Sequence, residues 1–302
     1  MLDVVAPEQL TVIANTGDDL EIYGAHVSPD PDLVSFWLAD RIDSRGWGLA
    51  GDTFAVMNEL RELGREIWFH LGDQDLAIGI ERARALNAGG RLTDAHAALG
   101  RRLGLGATVL PMSDGPVRTR VMACDRWWTL QEYLITARAG SGSDSAWPAV
   151  QDVQFRGARA AGTTPEVLAA IATAGAIVIG PSNPVISIGP ILALPDLRAA
   201  LAAARSPIVA VSPLVGGRAT KGPTADFMRW ARMPVSNLGI ARMYEGLIDG
   251  LVCDEPLDSL AALSTDLLMD GPAGRRRLAA ETLEFVTSLE RNNRQQAAAP
   301  NK

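Results

Sequence analysis

The sequence is poor in the residues that build zinc sites and disulfides. It contains two cysteines, Cys124 and Cys253, and three histidines among 302 residues. Neither cysteine has a Cys or His neighbour at zinc-ligand spacing, which excludes a structural zinc of that kind and indicates a reducing compartment. We therefore expect both thiols to be free and buried.

Long apolar runs and an excess of positive charge are also missing. No stretch of 18 apolar residues occurs, and the first residues lack a basic segment followed by an apolar run, so we expect a cytoplasmic protein without a membrane partner. Lys and Arg total 28 against 35 Asp and Glu, which gives a formal net charge of −7. This balance argues against nucleic acid as a partner, and an anionic substrate would need local cations or a metal.

Short and almost wholly apolar runs alternate with segments of helical periodicity. The runs Leu10–Ala14, Ala176–Ile179 and Ile208–Val211 have the composition of strands buried on both faces. Their alternation with helices predicts an α/β fold, with a Rossmann-like, mostly parallel sheet and helices on both faces. Ligands of such sheets bind beyond the carboxyl ends of the strands. The predicted helices are Asp52–Leu63, Asp73–Asn87, Thr93–Leu103, Thr164–Ala174, Asp196–Ala204, Thr224–Arg232 and Gly274–Glu290.

The middle of the chain has a different pattern. Val117–Ala123, Trp128–Thr136 and Val150–Phe155 alternate like strands of an antiparallel ribbon, and the Gly- and Ser-rich segment Ala139–Pro148 is expected to be an exposed loop. We predict a single domain over residues 1–302, with a β-rich subdomain at about 115–160.

Carboxylates follow the first predicted strand. Asn15-Thr16-Gly17-Asp18-Asp19 comes directly after it, and Asp30-Pro31-Asp32 comes soon afterwards. Carboxylates beyond a strand's carboxyl end are well placed to hold Mg²⁺ together with substrate phosphates. The alternative is structural: Asp18 and Asp19 form a turn, and Asp30 caps the following helix.

A third acidic segment contains one of the three histidines. Asp73 has the position of an N-cap, and His70 precedes a Gly turn from which its ring could reach the same cleft. His96, in contrast, falls within a helical pattern, and we expect it on the helix surface.

Two polar loops follow the later strands. The loop from Gly180 to Pro190 combines Gly, Pro, Ser and Asn, and its backbone N–H groups and hydroxyls suit a diphosphate or a nucleotide. In the loop from Ser212 to Pro223, Gly216 and Gly217 would let a ligand approach the backbone closely. Arg218 and Lys221 would supply positive charge there. It does not match a Walker A motif.

The segment from Pro111 to Pro116 leads from the main sheet to the β-rich part. Its Ser-Asp-Gly-Pro sequence is typical of a turn. The functional alternative is that Asp114 and Arg118 face the substrate.

Several of these motifs together resemble one enzyme family. NTGDD, the S-P-D-x-D of Ser28–Asp32, RGWG, LGDxDL, LPMSD, GPSNPxxSIGP, VSPLVGG and KGP occur in the same order in 2-phospho-L-lactate transferases of coenzyme F-420 biosynthesis. The resemblance covers residues 8 to 255. It implies an Mg²⁺-dependent transferase that moves 2-phospho-L-lactate, phosphoenolpyruvate or 3-phosphoglycerate from a guanosine diphosphate-linked donor to the deazaflavin alcohol Fo, with release of GMP.

The resemblance also implies roles for individual residues. Asp18 and Asp32 would be catalytic and would ligate the metal, and Asp32 and His70 would contact Fo. The expected donor-binding residues are Ser182, Asn183, Ser187, Gly189, Gly216 and Gly217. The family is often dimeric, so a homodimer is a further expectation.

The chain departs from the family pattern at three places. It begins after the family's Gly-rich strand, turn and helix, it has Gln74 where LGDRD has Arg, and it has Gly115 where MSDDP has its second Asp. The two substitutions remove charge from the proposed cleft. A truncated, non-catalytic homologue that binds Fo or a guanine nucleotide is therefore the alternative expectation.

Overall fold

The structure is a computed structural model that describes residues 1–137, 147–219 and 222–298, with side chains to residue 289. The chain forms two compact units. The N-terminal unit comprises Pro7–Val167 and Pro190–Pro195, and the C-terminal unit comprises Met1–Ala6, Leu168–Gly189 and Asp196–Lys302. The single-domain organisation stays a prediction.

The N-terminal unit is built around a short parallel pair of strands. Strand β1 pairs with strand β4 in register, from Thr11 opposite Thr108 to Ala14 opposite Pro111. Helices α1 and α4 contact this pair, and the strands β2 and β3 form a separate hairpin that contacts α3. The elements are a 3-10 turn Pro7–Gln9, β1 Thr11–Ala14, β2 Leu20–Ile22, β3 Ala25–Val27, α1 Pro29–Leu38, α2 Ala55–Glu62, α3 Asp73–Asn87, α4 Leu92–Leu103 and β4 Thr108–Pro111.

Two apolar clusters hold the helices of this unit in place. Phe36 of α1, Ile78 of α3 and Leu99 of α4 pack together with Leu49. A second cluster joins the β2–β3 hairpin to Met57 of α2 and to α3. Burial of such side chains stabilises each by about 1.5–3 kcal/mol, so these contacts fix the helices around the acidic segments.

The β-rich part is an antiparallel sheet, as predicted. Its strands are β5 Arg118–Ala123, β6 Arg126–Thr129 and β7 Asp152–Arg156, with β5 in the centre. The prediction that the second strand continues to Thr136 is wrong. The Thr129 side chain and Glu132 form a capping box that starts helix α5, Leu130–Glu132, and a π-helical turn follows at Tyr133–Ala137. The predicted exposed loop Ala139–Pro148 lies outside the described residues, apart from its last two.

The expectation that both cysteines are buried is wrong for one of them. Cys253 is buried, whereas Cys124 is exposed. Cys124 and Asp125 form the two-residue turn between β5 and β6 with positive φ angles of 50° and 56°, a conformation typical of tight hairpins whose side chains reach solvent.

The C-terminal unit contains a four-stranded parallel sheet in the order β13-β12-β9-β8. Val211 and Val252 of this sheet pack against Leu278 and Phe285 of the last helix. The predicted α/β fold with mostly parallel strands is confirmed. The elements after β7, in chain order, are α6 Pro165–Thr173, β8 Ile177–Ile179, α7 Gly189–Leu192, α8 Pro195–Ala202, β9 Ile208–Val211, β10 Leu214–Val215, β11 Arg218–Ala219, α9 Thr224–Trp230, α10 Asn237–Met243, β12 Gly250–Cys253, β13 Ala261–Ser264 and α11 Gly271–Ala298. The start of α6, most of α7 and the first residue of α8 belong to the N-terminal unit.

Among the described residues, no helix combines the length and the apolar character that crossing a membrane requires.

Candidate functional site

The buried carboxylate of Asp18 and the half-buried carboxylate of Asp30 share one amide at the carboxyl end of β1. The Asn15 Nδ2 donates to Asp18 Oδ1 at 3.2 Å and to Asp30 Oδ2 at 3.0 Å. Asp18 also accepts a hydrogen bond of 2.8 Å from Gln131. The structure therefore brings together Asp18 and Asp30, which are twelve positions apart in the sequence.

The environment of these two carboxylates opposes their ionisation. Burial raises the pKa of Asp18 well above its usual value, and the charges of Asp30 and Asp19 add to the effect. Burial likewise raises the pKa of Asp30 to about 6, although the Asn15 hydrogen bond opposes the shift. Neighbouring carboxylates that repel each other in a buried site are a common feature of functional sites, because a ligand rather than the protein supplies the compensating charge.

The structural alternative for Asp30 does not hold. Helix α1 has Ser28 as its N-cap, and no side chain donates or accepts a capping hydrogen bond there. The Asp30 carboxylate contacts Asn15 instead. A turn does form at this segment, since the Asp19 N–H donates to the carbonyl of Thr16.

Asp19 belongs to a second polar chain. It accepts a hydrogen bond of 2.8 Å from Ser28 and lies 3.0 Å from Nε2 of His26. Nδ1 of the same ring lies 3.3 Å from Glu21, and Glu21 accepts a hydrogen bond of 2.6 Å from Arg118. Polar side chains thus run continuously from the exposed Glu21 to the buried Asp19.

Asp32 has a different environment from Asp18. The sequence suggests a loop carboxylate, but Asp32 lies in the first turn of α1, where it is buried and forms an ion pair with both Nη atoms of Arg82 in α3. Burial raises the pKa of Asp32, and the Arg82 guanidinium opposes that shift. Arg82 also donates to the backbone carbonyl of His26, so this pair ties α1 and α3 to the hairpin.

The expectation that His96 lies on the helix surface is wrong. Its side chain is fully buried in α4, with Nδ1 3.9 Å from Asp32. Neither ring nitrogen has a hydrogen-bond partner among the described residues, and burial lowers the pKa of His96 well below its usual value. A neutral imidazole beside the buried ion pair is the consequence.

His70 is exposed and stacks on Phe54, with ring centroids 4.4 Å apart and planes inclined by 12°. The guanidinium of Arg45 lies 5.6 Å from the centroid of the Phe54 ring. Within the described ranges, no hydrogen bond or ring contact joins His70 to Asp32, although the resemblance assigns both to Fo.

Asp52, just before α2, and Asp73, at the start of α3, cap each other's helices. Asp73 is predicted as the N-cap of its own helix, but Gly72 has that position. The Asp73 carboxylate instead accepts from the backbone N–H groups of Ala55 and Val56 at the start of α2, whereas Asp52 accepts from those of Gln74 and Asp75 at the start of α3. This exchange fixes the loop that carries His70.

Asp75 is a candidate residue that the sequence patterns did not single out. Burial, followed by the charges of Asp32 and Asp52, raises the pKa of Asp75 to about 7. The signal available in the sequence is the second Asp of the LGDxDL motif.

A cavity of about 530 Å³ opens beside the β2–β3 hairpin. Its polar lining includes Thr16, Asp19, Glu21, Asp114 and Arg118, so the two residues that the sequence left open as substrate contacts, Asp114 and Arg118, border the same space. The Asp114 carboxylate has a structural role, because it accepts hydrogen bonds from the Thr93 N–H and from Arg91. Arg91 also holds Glu166, which lowers the pKa of Glu166 to about 2.

The C-terminal unit holds the predicted donor loops at neighbouring strands. The Asn183 Oδ1 accepts from the N–H groups of Val185 and Ile186 at 2.9 and 3.2 Å, and Nδ2 contacts Thr224 at 3.4 Å. Because β8 and β9 are adjacent and parallel, both loops leave the same edge of the sheet. Ser182 is exposed, Ser187 and Gly189 are half-buried, and Lys221 lies outside the described residues.

A polar chain that the sequence patterns missed stands at this edge. Ser212 donates to Asn237 at 2.6 Å, Asn237 donates to Asp254 at 2.7 Å, and Asp254 accepts from the Gly216 N–H. Asp254 directly follows the buried strand β12. This position after a buried strand is the sequence signal that could have identified it. Gly216 and Gly217 have φ angles of 56° and 69° because they form the two-residue turn between β10 and β11.

Comparison with known proteins gives the relationship. The family described as 2-phospho-L-lactate transferase CofD matches residues 2–267. The chain belongs to this family. A 2-phospho-L-lactate transferase from Methanosarcina mazei is 38% identical over 254 residues, which cover 84% of this chain and 81% of the relative. A phosphoenolpyruvate transferase from Kitasatospora aureofaciens is 38% identical over 262 residues, covering 84% and 79%.

Solved structures agree on the fold. A Bacillus halodurans member of the UPF0052 family superimposes with a TM-score of 0.51 at 16% sequence identity, covering 83% of this chain and 76% of that one. The CofD-family relationship makes the chain a transferase, so the resemblance seen in the motifs is confirmed. The order of the motifs along the chain therefore predicted the family correctly.

One departure from the CofD-family pattern has a local explanation. A Cβ added at Gly115 would lie 3.2 Å from both Cα and Cβ of Ala161. A side chain at this position would therefore require the Ala161 segment to shift, so the neighbouring backbone favours glycine here.

Proposed function

We propose that the chain transfers a phospho-acid group from a guanosine diphosphate-linked donor to the deazaflavin alcohol Fo and releases GMP, as a step of coenzyme F-420 biosynthesis. The group would be 2-phospho-L-lactate, phosphoenolpyruvate or 3-phosphoglycerate. In this reaction the terminal hydroxyl oxygen of Fo forms a bond to the phosphorus that carries the acid. The bond from that phosphorus to the bridging oxygen breaks, and GMP leaves.

The observation that carries the proposal is the pair of carboxylates, the buried Asp18 and the half-buried Asp30, on one Asn15 amide. Like charges so close together oppose each other's ionisation, and a cation bound between them removes that cost. Within residues 1–137, 147–219 and 222–298, no group of three or more His, Cys, Asp or Glu side chains is arranged to hold a metal by itself. Mg²⁺ is commonly held by one or two carboxylates together with substrate phosphates, so two carboxylates are sufficient.

Asp18 and Asp30 are therefore the residues that would hold Mg²⁺. The sequence assigned this role to Asp18 and Asp32, but the Asp32 charge is already paired with Arg82. When bound, Mg²⁺ would neutralise charge on the donor phosphates. We retain Asp32 as a proposed Fo contact, with Arg82 fixing the position of its carboxylate.

We assign the guanosine diphosphate part of the donor to the loops of the C-terminal unit. Support comes from the Asn183 and Thr224 contact, from the hydroxyls of Ser182 and Ser187, and from the sheet edge at which these loops stand. Loops at the carboxyl ends of parallel strands are the usual place for nucleotides in α/β folds. Most of the rate would come from positioning and from stabilisation of phosphoryl charge, as in other phosphoryl transfers.

The test is GMP release. The chain is incubated with Fo, Mg²⁺ and each of the three donors in turn, and GMP is quantified by chromatography. We expect release with at least one donor, a loss of at least about 100-fold in Asp18→Asn, and no change in the exposed control variant Glu59→Gln. Fo or guanine-nucleotide binding without GMP release from any donor would instead identify a non-catalytic homologue.

A further inference from the structure

The cavity beside the β2–β3 hairpin has a shape and a lining that suit a small organic molecule. Its volume of about 530 Å³ falls within the range of roughly 300–1,000 Å³ that is common for such sites. All of its lining residues belong to the N-terminal unit. The apolar walls come from Ile22, Ala83, Leu86 and Leu92.

Two residues that line the cavity, Thr16 and Tyr23, have a buried hydroxyl without a hydrogen-bond partner among the described residues. Thr16 is 1% exposed, and its hydroxyl has no hydrogen-bond partner among the described residues. Buried hydroxyls are nearly always hydrogen-bonded, because an unpaired one costs about 1–3 kcal/mol. The unpaired Thr16 hydroxyl therefore indicates that a ligand or a water completes this wall.

Arg118 and Glu21 provide the charged part of the lining. Arg118 donates from Nη2 to Glu21 and from Nη1 to the carbonyl of Val117, which leaves other N–H groups of its five for a ligand. The Glu21 carboxylate, in contrast, can only accept. Donor and acceptor groups thus stand side by side at one wall of an otherwise largely apolar space.

This combination matches one part of a deazaflavin. Its pyrimidinedione ring carries carbonyl acceptors on either side of an N–H donor, whereas the faces of the fused ring system are flat and apolar. A carbonyl would accept from the Arg118 guanidinium, and the N–H would donate to Glu21. The apolar ring faces would contact the leucine and isoleucine walls.

We propose that this cavity binds the pyrimidinedione end of the acceptor, and that Arg118 and Glu21 are the residues that select it. The inference rests on the proposed function, which supplies the deazaflavin. Through His26, the same polar chain continues to the buried carboxylate of Asp19, which adjoins Asp18 in the sequence. Gly115 contributes by leaving its part of the wall without a carboxylate.

The experiment measures binding of two ligands by fluorescence titration: Fo, and Fo methylated at the pyrimidinedione nitrogen. The variants are Arg118→Met, which retains the aliphatic stem, and Glu21→Met. Arg156→Met is the matched control, because Arg156 pairs with Arg118 across β5 and β7 but does not line the cavity. Thermal unfolding of each variant verifies that the fold is intact.

We expect Arg118→Met to raise the dissociation constant of Fo about 10-fold, while Arg156→Met leaves it unchanged. The unmodified protein should bind Fo about 10-fold more tightly than methylated Fo, and Glu21→Met should abolish this preference. In the GMP-release assay, Arg118→Met should raise KM for Fo and leave kcat unchanged.

Two results would overturn the inference in distinguishable ways. If the unmodified protein releases GMP but Arg118→Met binds Fo as tightly as it does, the acceptor lies elsewhere and only this inference is wrong. If the unmodified protein neither binds Fo nor releases GMP with it, the proposed function is wrong and the inference is lost with it.

Discussion

The substitution Asp30→Asn should make the protein more stable at high pH. In the folded chain the pKa of Asp30 rises from its usual 3.8 to about 6, mainly because the carboxyl is buried. The difference corresponds to roughly 3 kcal/mol. Asn retains the shape but not the charge, and the pKa of about 6 already includes the opposing effect of the Asn15 hydrogen bond. A gain of about 3 kcal/mol is therefore expected at pH 8.

The sign of the effect depends on pH. Below about pH 4 the Asp30 carboxyl is protonated in both the folded and the unfolded chain, so the variant and the unmodified protein should be equally stable. Between about pH 4 and pH 6 the carboxyl ionises in the unfolded chain while the folded chain keeps its proton, so the unmodified protein loses stability that the variant keeps. The gap between the two should therefore open between pH 4 and pH 6.

Thermal unfolding followed by circular dichroism tests this, at pH 4, 6 and 8 with a chelator present. For a chain of 302 residues, a gain of about 3 kcal/mol corresponds to a rise in Tm of about 5 °C at pH 8. Glu59→Gln, an exposed carboxylate in α2, is the control and should show no pH-dependent gain. Equal or lower stability of Asp30→Asn at pH 8 would refute the account of this site.

The effect of Mg²⁺ on Tm should differ between the unmodified protein and Asp30→Asn. Because a ligand stabilises the state that binds it, Mg²⁺ together with a guanosine diphosphate-linked donor should raise Tm of the unmodified protein. Asp30→Asn should respond less, since one of the two carboxylates is gone. An equal response of both proteins would remove Asp30 from the proposed metal site.

The remaining predictions concern other parts of the structure. Asp32→Asn should destabilise the fold by about 3–5 kcal/mol in chemical denaturation, because it leaves Arg82 buried without its charge partner; an unchanged midpoint would contradict the ion pair. Gly17→Ala should cost about 1–3 kcal/mol in the same assay, since a Cβ there would lie 2.8 Å from atoms of Asn15, Thr119 and Pro190; full stability would show that this contact relaxes. Asn237→Ala should weaken binding of GDP about 10-fold by calorimetry, because the chain from Ser212 to Asp254 is broken, and unaltered affinity would place the nucleotide elsewhere.

Strong local patterns were sufficient for parts of the fold. Ile208–Val211 and Asp73–Asn87 begin and end where the sequence predicted, because one is a fully apolar run and the other a long amphipathic segment. The hairpin of β2 and β3 was missed. Each of its strands has only three residues, too few for a period of two to stand out, and it turns at Tyr23 and Gly24.

In the candidate site, local sequence patterns likewise do not show which side chains pair with each other. The cluster after the first strand was expected, but the choice between Asp30 and Asp32 depends on which carboxylate has a partner. Asp32 has such a partner, Arg82, fifty positions further along the chain. No local sequence pattern predicts this ion pair. Asp73 was recognised as a capping residue, yet it caps α2, because the two helix starts face each other only in the folded chain.

Direct detection of the product is the sharpest test of the proposed reaction. Mass spectrometry of a mixture containing the protein, Fo, Mg²⁺ and one donor at a time would reveal a phosphodiester of Fo. We predict that this product forms in the same amount as GMP with at least one of the three donors. Bound but unmodified Fo, with no phosphodiester from any donor, would contradict the proposed transferase activity.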